Sequence, residues 1–472
     1  MVRQQSIWLA TLVAGAVALA GCGGSSASSG STGGSTATSP AIITAGDAPM
    51  SSVLAALVTV SAVTFTSSSS TTVQLLSQPR QIELTHLGGI RAPLDLHALP
   101  QGTYNSVAIT VSAAQITYID PNTNKPVVAT AVIPSASATQ TITLSPALVV
   151  SDSTATDIRF DFDLQKSLDL TGTTVTFTPV IGAAVARVKD EDDNTRMVHV
   201  NGTVTATSVS GNTITLTSDD TGLAVTLNVN SSTKFDDNVT LANLQVGAVI
   251  RTRDEMQSDG SLTAVLVEDN DAGDKEDSNS RVDTGIVTGV TRDTSNNLTA
   301  FTVVVNDSDD VHNFGHMLNV TLDSNTKFKN TMEAQTAGLA TFDQTQVFPG
   351  AGVEMSSTVQ SASAATVTAR EIRPAAVNPF GLTSAAVTAG ANGVFTIPLL
   401  LNNSTNFAHF AGLTTLNVLT NSATAYDGAN LSATTVGSLA IGTPLVVHGF
   451  LSVSGTTTTL FAAHIRQEGS GF

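Results

Sequence analysis

The chain is poor in the residues that most often carry chemistry or cross-links. Cys22 is its single cysteine, so no internal disulfide can form and no further thiol nucleophile exists. Trp8 is the single tryptophan, beside three tyrosines. That leaves thin material for the aromatic platforms that stack on sugar rings. Charge is sparse and one-sided, with 20 Lys and Arg against 38 Asp and Glu and a net charge of −18. Nucleic acid and anionic lipid are thereby excluded as the main partner, because phosphate binding needs concentrated Lys and Arg. No Gly-x-Ser-x-Gly elbow, phosphate loop, His-Glu-x-x-His or Gly-x-Gly-x-x-Gly occurs. No cofactor is expected and no catalytic residue can be named. The eight histidines are scattered along the chain, which gives an enzyme no support.

What is present begins at the N-terminus. Arg3 supplies a positive start, and Ile7 to Leu19 form an apolar run interrupted only by Thr11 and Gly15. The run is too short to span a bilayer comfortably and ends in Leu19-Ala20-Gly21-Cys22. This ending resembles the lipobox of bacterial lipoproteins, which implies cleavage before Cys22 and acylation of that residue. Several acyl chains anchor stably where one binds only marginally. Gly23 follows, not the aspartate that retains many such proteins at the inner membrane, so the outer membrane is the expected address within the envelope. Residues 23–40 are almost entirely Gly, Ser, Thr and Ala and read as a flexible tether.

From 41 to 188 the pattern is strand-like. Ile158, Phe160, Phe162 and Leu164 alternate with Arg159, Asp161, Asp163 and Gln165, giving one buried and one wet face. Turn signals such as Pro100-Gln101-Gly102 separate such runs, and together they predict a β-sandwich. Hydrophilic runs at 189–194 and 268–279 read as solvated linkers, and Arg373-Pro374 to Pro379 marks a further boundary.

Between these boundaries one unit recurs over 196–268, 282–373 and 380–467. Each copy carries a Thr-x-aromatic, at Thr233-Lys234-Phe235, Thr326-Lys327-Phe328 and Thr424-Ala425-Tyr426. An apolar-x-x-Gly follows in each, ending at Gly247, Gly350 and Gly442, and opens a new strand. Earlier glycine-led strands are Gly202-Thr203-Val204, Gly285-Ile286-Val287 and Gly393-Val394-Phe395-Thr396-Ile397. The expected fold is all-β: an N-terminal sandwich followed by three small OB-like β-barrels, closed so that few sheet edges stay exposed.

Two resemblances agree with this division. Gly46-Asp47-Ala48-Pro49, Leu94-Asp95-Leu96, Leu99 to Tyr104 and Phe160 to Leu164 resemble the domain-of-unknown-function family 4382 of bacterial lipoproteins. The C-terminal units, with their strand-turn-strand opening and Leu-x-x-Gly, resemble the domain-of-unknown-function family 5666. Neither resemblance implies an activity.

Three clusters could bind a cation. Asp307, Asp309, Asp310, His312 and His316 place carboxylates and imidazoles within ten residues, enough to hold zinc or a similar ion, or simply to make a polar hairpin. Asp269, Asp271 and Asp274 flank Gly273 but lack the EF-hand spacing, leaving loose calcium binding at a surface. Asp161 and Asp163 share a strand face, either as an outer surface or as a ligand site with Asp47.

The functional expectation is a lipid-anchored structural or binding protein of the cell envelope, its partners being the membrane through Cys22 and an envelope protein or glycan. A ligand-binding component of an envelope assembly, recognising polysaccharide or peptide, is the alternative. An enzyme with an unfamiliar site comes third, and a pocket with converging His and Asp would favour it.

Overall fold

A computed structural model describes residues 37–467, apart from short segments at 49–51, 191–195, 270–279, 309–313, 359–364 and 402–405 and a few single or paired positions. Cys22 and residues 23–36 of the expected tether lie outside the described residues, as do Asp309, Asp310, His312, Asp271 and Asp274. The last part of that tether, Thr38–Pro40, is instead the start of a strand paired with Ala98–Pro100, with Ser39 buried.

Period-two alternation produces the strands wherever one face can be buried. In Thr156–Asp163 the apolar side chains Ile158, Phe160 and Phe162 are fully buried. The strand stops at Asp163, whose carboxylate caps the short helix Leu164–Ser167 by accepting from the Lys166 N–H. Leu164 is therefore helical, and still buried. Four strands form one sheet of the sandwich, with Thr38–Ala48 lying between Thr156–Asp163 and Ala92–Pro100 and Ile181–Arg187 at the edge. The facing sheet is built on the long, antiparallel-paired strands Val53–Ser67 and Gly102–Asp120. A single core containing Ile43, Phe65, Val107, Ile158 and Phe162 fills the space between them.

Each C-terminal unit is a closed five-stranded ring. In the first, Met197–Ser208 pairs antiparallel with Thr213–Ser218 and Val249–Met256. Ala224–Asn228 then closes the ring by pairing in parallel with Leu262–Asp269. The same order is repeated by Ser280–Arg292, Leu298–Ser308, Met317–Thr321, Gly352–Thr358 and Thr366–Pro374. It is repeated again by Phe380–Thr383, Phe395–Leu401, Thr415–Leu419, Pro444–Ser454 and Thr457–Gln467. This is the strand order of the OB-fold. The third copy begins at Phe380, in line with its expected bound at 380, but its glycine-led segment is not Gly393: Gly393 precedes the second strand, and Gly381 is the counterpart of Gly202 and Gly285.

The repeated marks have repeated causes. Thr233, Thr326 and Thr424 donate their hydroxyls to the carbonyls of Ala264, Ala369 and Ala462 on the closing strand, at 2.6, 2.7 and 2.9 Å. The same oxygens accept from the N–H groups of Asn230, Asp323 and Asn421 three residues earlier. Gly247, Gly350 and Gly442 have φ of +91°, +94° and +88°, which L side chains rarely adopt. Their N–H groups donate to the carbonyls of Val204, Val287 and Thr383.

The units do not hang apart as a string. The His199 N–H donates to the Arg91 carbonyl across the sandwich and first barrel. Thr117 of the sandwich donates to the Gly315 carbonyl of the second barrel, and Asn378 of the third unit donates to the His86 carbonyl. Residues 37–472 accordingly make one compact unit. The described residues at the edges of two expected boundaries are packed inside it. Glu268 is 1 % exposed, so it is not part of a solvated linker, and Arg373 is buried in an ion pair with Glu371.

Candidate functional site

The outer faces of the barrels are polar, and the fold turns some of them inward. On the first barrel, Met197, His199 and Asn201 point away from the core, opposite Glu255, Arg253 and Arg251 on the neighbouring strand. The equivalent pair on the third barrel is Asn378 with His448, whose Oδ1 and Nδ1 are 2.8 Å apart. These faces meet one another, the second barrel's Glu333 and the Arg159–Asp161 face of the sandwich around a cavity of about 400 Å³. Residues from the sandwich and from all three barrels line it, including Arg91, Arg159, Arg253 and Arg466, with His199, His448 and His464. The wet face read from the Arg159–Asp161 alternation is thus the wall of an internal space.

A buried polar network runs along one side. Glu83 accepts from the Ala56 N–H and lies 2.9 Å from His86 Nδ1. Asn378 links the His86 carbonyl to His448, and His448 Nε2 lies 3.6 Å from Glu333 Oε1. The His199 and His448 rings are 5.9 Å apart. The Glu333 N–H donates to Glu268 Oε1, and Arg251 binds Glu354 Oε2 at 2.6 Å.

Burial governs the protonation of these groups. It lowers the His199 pKa well below the usual imidazole value despite Glu333 nearby, so the ring is neutral. Burial and the adjacent Glu333 raise Glu268, while for Glu333 the cost of burial is outweighed by His448 and Arg251, which hold it ionised. Asp47, fully buried beneath the cavity, is raised well above the carboxylate range by burial and then by Asp161 and Glu83. Neither of its carboxyl oxygens has a hydrogen-bond partner.

The sequence-based candidates fall into three groups. Asp47 and Asp161 are brought together by parallel pairing of their strands, Gly46 opposite Asp161, and Arg466 of the third barrel joins them, on the Asp47 carbonyl at 3.1 Å and the Asp161 carboxylate at 3.4 Å. Asp163 turns away to Lys166. Of the metal candidates, Asp307 is buried and accepts from Asn201 at 2.7 Å, whereas His316 is exposed. Asp309, Asp310 and His312 lie outside the described residues. Among the described residues, no three His, Cys, Asp or Glu side chains are placed to hold a metal.

The histidines, scattered in sequence, are what linear reasoning missed. Three of the eight line the cavity and His86 stands behind it. The signal available was Arg251-Thr252-Arg253, two basic residues on one strand face in a chain with few.

Comparison with known proteins returns the two families that the sequence resembles. Residues 43–179 match the model of a family described as Domain of unknown function (DUF4382). Residues 201–268, the first barrel, match one described as Domain of unknown function (DUF5666). No curated protein matches the chain. Solved structures with local similarity include a Cu(II) form of CusF from Escherichia coli, at 10% identity over 17% of this chain and 98% of that one, TM-score 0.14. The single-stranded DNA binding protein from Thermus aquaticus shares 13% identity over 41% of this chain and 94% of that one, TM-score 0.17. The drosophila protein Unr CSD456 shares 11% over 58% of this chain and 98% of that one, TM-score 0.15.

Proposed function

We propose that this chain is a lipid-anchored binding protein of the bacterial envelope, tethered through Cys22, whose sandwich and barrels together enclose one ligand site. The observation that carries the reading is the cavity. Its volume of about 400 Å³ lies within the range of small-molecule sites, and it stands where four β units meet, its wall mixing many charged and polar groups with the apolar side chains Ile90, Phe160, Met197 and Val265. A purely structural stalk has no use for such a space, and open cavities with polar walls weaken a core rather than strengthen it.

The neutral probe 4-phenylbutyramide tests this directly. Saturation-transfer NMR on the full chain is expected to show binding, and Ala425→Trp, which fills the cavity from its wall, is expected to abolish it. Absent binding, or binding indifferent to Ala425→Trp, removes the cavity as the site. Anchoring is tested separately: Cys22→Ser should release the protein from the membrane fraction, and palmitate labelling that never appears on the native chain would sink the lipid anchor.

The convergence of His199, His448 and His464 with Glu333 favours a second reading, an acid–base enzyme. Against it, the Thr424 hydroxyl on the cavity wall is committed to the Ala462 carbonyl. The Glu333–His448–Asn378 chain orients an imidazole, and among the described residues no hydroxyl is hydrogen-bonded to His448.

A further inference from the structure

One arginine in the cavity wall has no counterpart. Arg253 sits opposite His199 on the neighbouring strand; its Nε is buried and the side chain makes no hydrogen bond or ion pair with any described residue. The other arginines there are paired, Arg91 on Asp157 at 2.8 Å, Arg159 on Asp157 at 3.4 Å and Arg466 on Asp161. Of the carboxylates, Glu255 meets Arg196 at 2.9 Å and Glu333 faces His448, while Asp427, in register with Arg466 on the neighbouring strand, makes no ion pair with a described residue. His199 Nδ1 is likewise buried without a partner. Arg253 is only partly buried and its terminal nitrogens are not fully shielded, so a guanidinium and an imidazole without protein partners on this wall mark a place where something outside the protein supplies the oxygen atoms.

The rest of the wall sets the size and polarity of that partner. Ile90, Phe160, Met197, Val265 and Ala463 offer apolar surface around the polar end. We infer that the cavity takes a small organic molecule with an apolar body and one acidic group, a carboxylate or a phosphate, whose oxygens are held by Arg253 and His199. The planar fork of Arg253 matches two oxygens of such a group, and the neutral imidazole of His199 adds one further N–H. The overall charge of −18 repels an anion at long range, but that repulsion is screened over a Debye length of about 8–10 Å. Inside the cavity the lower dielectric strengthens the local attraction, so the wall decides.

This inference rests on the cavity reading, and the experiment separates the two. Binding of 4-phenylbutyrate, 4-phenylbutyramide and phenyl phosphate to the full chain is measured by titration calorimetry. The acid is expected to bind roughly tenfold or more tightly than the amide, the size of effect a charge-assisted pair supplies. Arg253→Met should erase that preference, and a far-UV circular dichroism spectrum and melting temperature matching those of the native chain show that the variant is folded. Arg253→Lys, which keeps the charge but loses the fork, should retain part of the preference. Equal affinity of acid and amide for the native chain overturns the acidic-ligand assignment while the cavity reading stands; binding of neither overturns both. A preference that survives Arg253→Met overturns the role of Arg253. Phenyl phosphate binding more tightly than phenylbutyrate assigns the site to phosphates, and the reverse order assigns it to carboxylates.

Discussion

Asp254 points into the interior of the first barrel, where an ionised carboxylate has only the Thr252 hydroxyl, at 2.7 Å, to support it. Burial, opposed only by that hydrogen bond, pushes its pKa up to about 8. The folded chain therefore holds a proton that the unfolded chain has lost over the window from about pH 4 to pH 8. With more protons bound in the folded state, stability falls as pH rises through that window, by about 1.4 kcal/mol per pH unit for this one group. Asp254→Asn keeps an acceptor for Thr252 and removes the titration. Urea unfolding at pH 5, 6 and 7 should show higher stability for the variant at pH 7 and a slope shallower by about 1.4 kcal/mol per pH unit. An unchanged slope would mean that Asp254 is ionised in the fold. Glu268 and Asp47, raised for the same reason, leave a residual slope of the same sign.

At the level of the strand, the barrel closes because its first strand carries a glycine at one fixed place. A Cβ on Gly202 would stand 2.2 Å from the Thr217 carbonyl oxygen, one on Gly285 2.1 Å from that of Val304, and one on Gly381 2.9 Å from that of Leu400. The clashing atoms are backbone, which cannot rotate away. Gly285→Ala should therefore cost about 3 kcal/mol or more. The milder Thr326→Val, which removes only the hydroxyl bound to Ala369, should cost about 1 kcal/mol. Thermal unfolding of the two variants checks the order. A Gly285→Ala protein as stable as wild type would show that the two strands can separate without opening the barrel.

On the scale of the whole molecule, the units are coupled through charge. Arg251 and Glu354 occupy equivalent positions in the first and second barrels, three residues before Asp254 and Ser357, and meet at 2.6 Å with almost no exposure. Removing one member strands the other, so Arg251→Met should cost about 3–5 kcal/mol. Adding Glu354→Met should recover part of that loss, because a buried pair contributes less than either orphaned charge costs. A double-mutant cycle by denaturant unfolding measures the coupling. Strictly additive effects would show that the two barrels do not depend on this contact.

How much of this was readable beforehand differs by scale. The all-β class, the sandwich and the recurrence of one barrel unit followed from period-two alternation and from Thr-x-aromatic and Leu-x-x-Gly marks. Those signals are local: a threonine bonded within its own unit and a glycine forced to positive φ need nothing beyond a few tens of residues. Within the third copy, whose first strand begins at the expected bound of 380, the glycine-led opening is matched to Gly393 instead of Gly381 because the two look alike in sequence, and only strand pairing tells an opening strand from its partner. The central cavity was not readable at all. Alternation says that His199, Arg253, Asp161 and His448 lie on polar strand faces, and a polar face reads the same whether it meets water or another domain. Sequence alone determined the elements and the closed barrels, since burying an alternating face is a property of the strand itself. The tertiary packing decided which polar faces were taken out of water together, and with that which arginine was left without a partner.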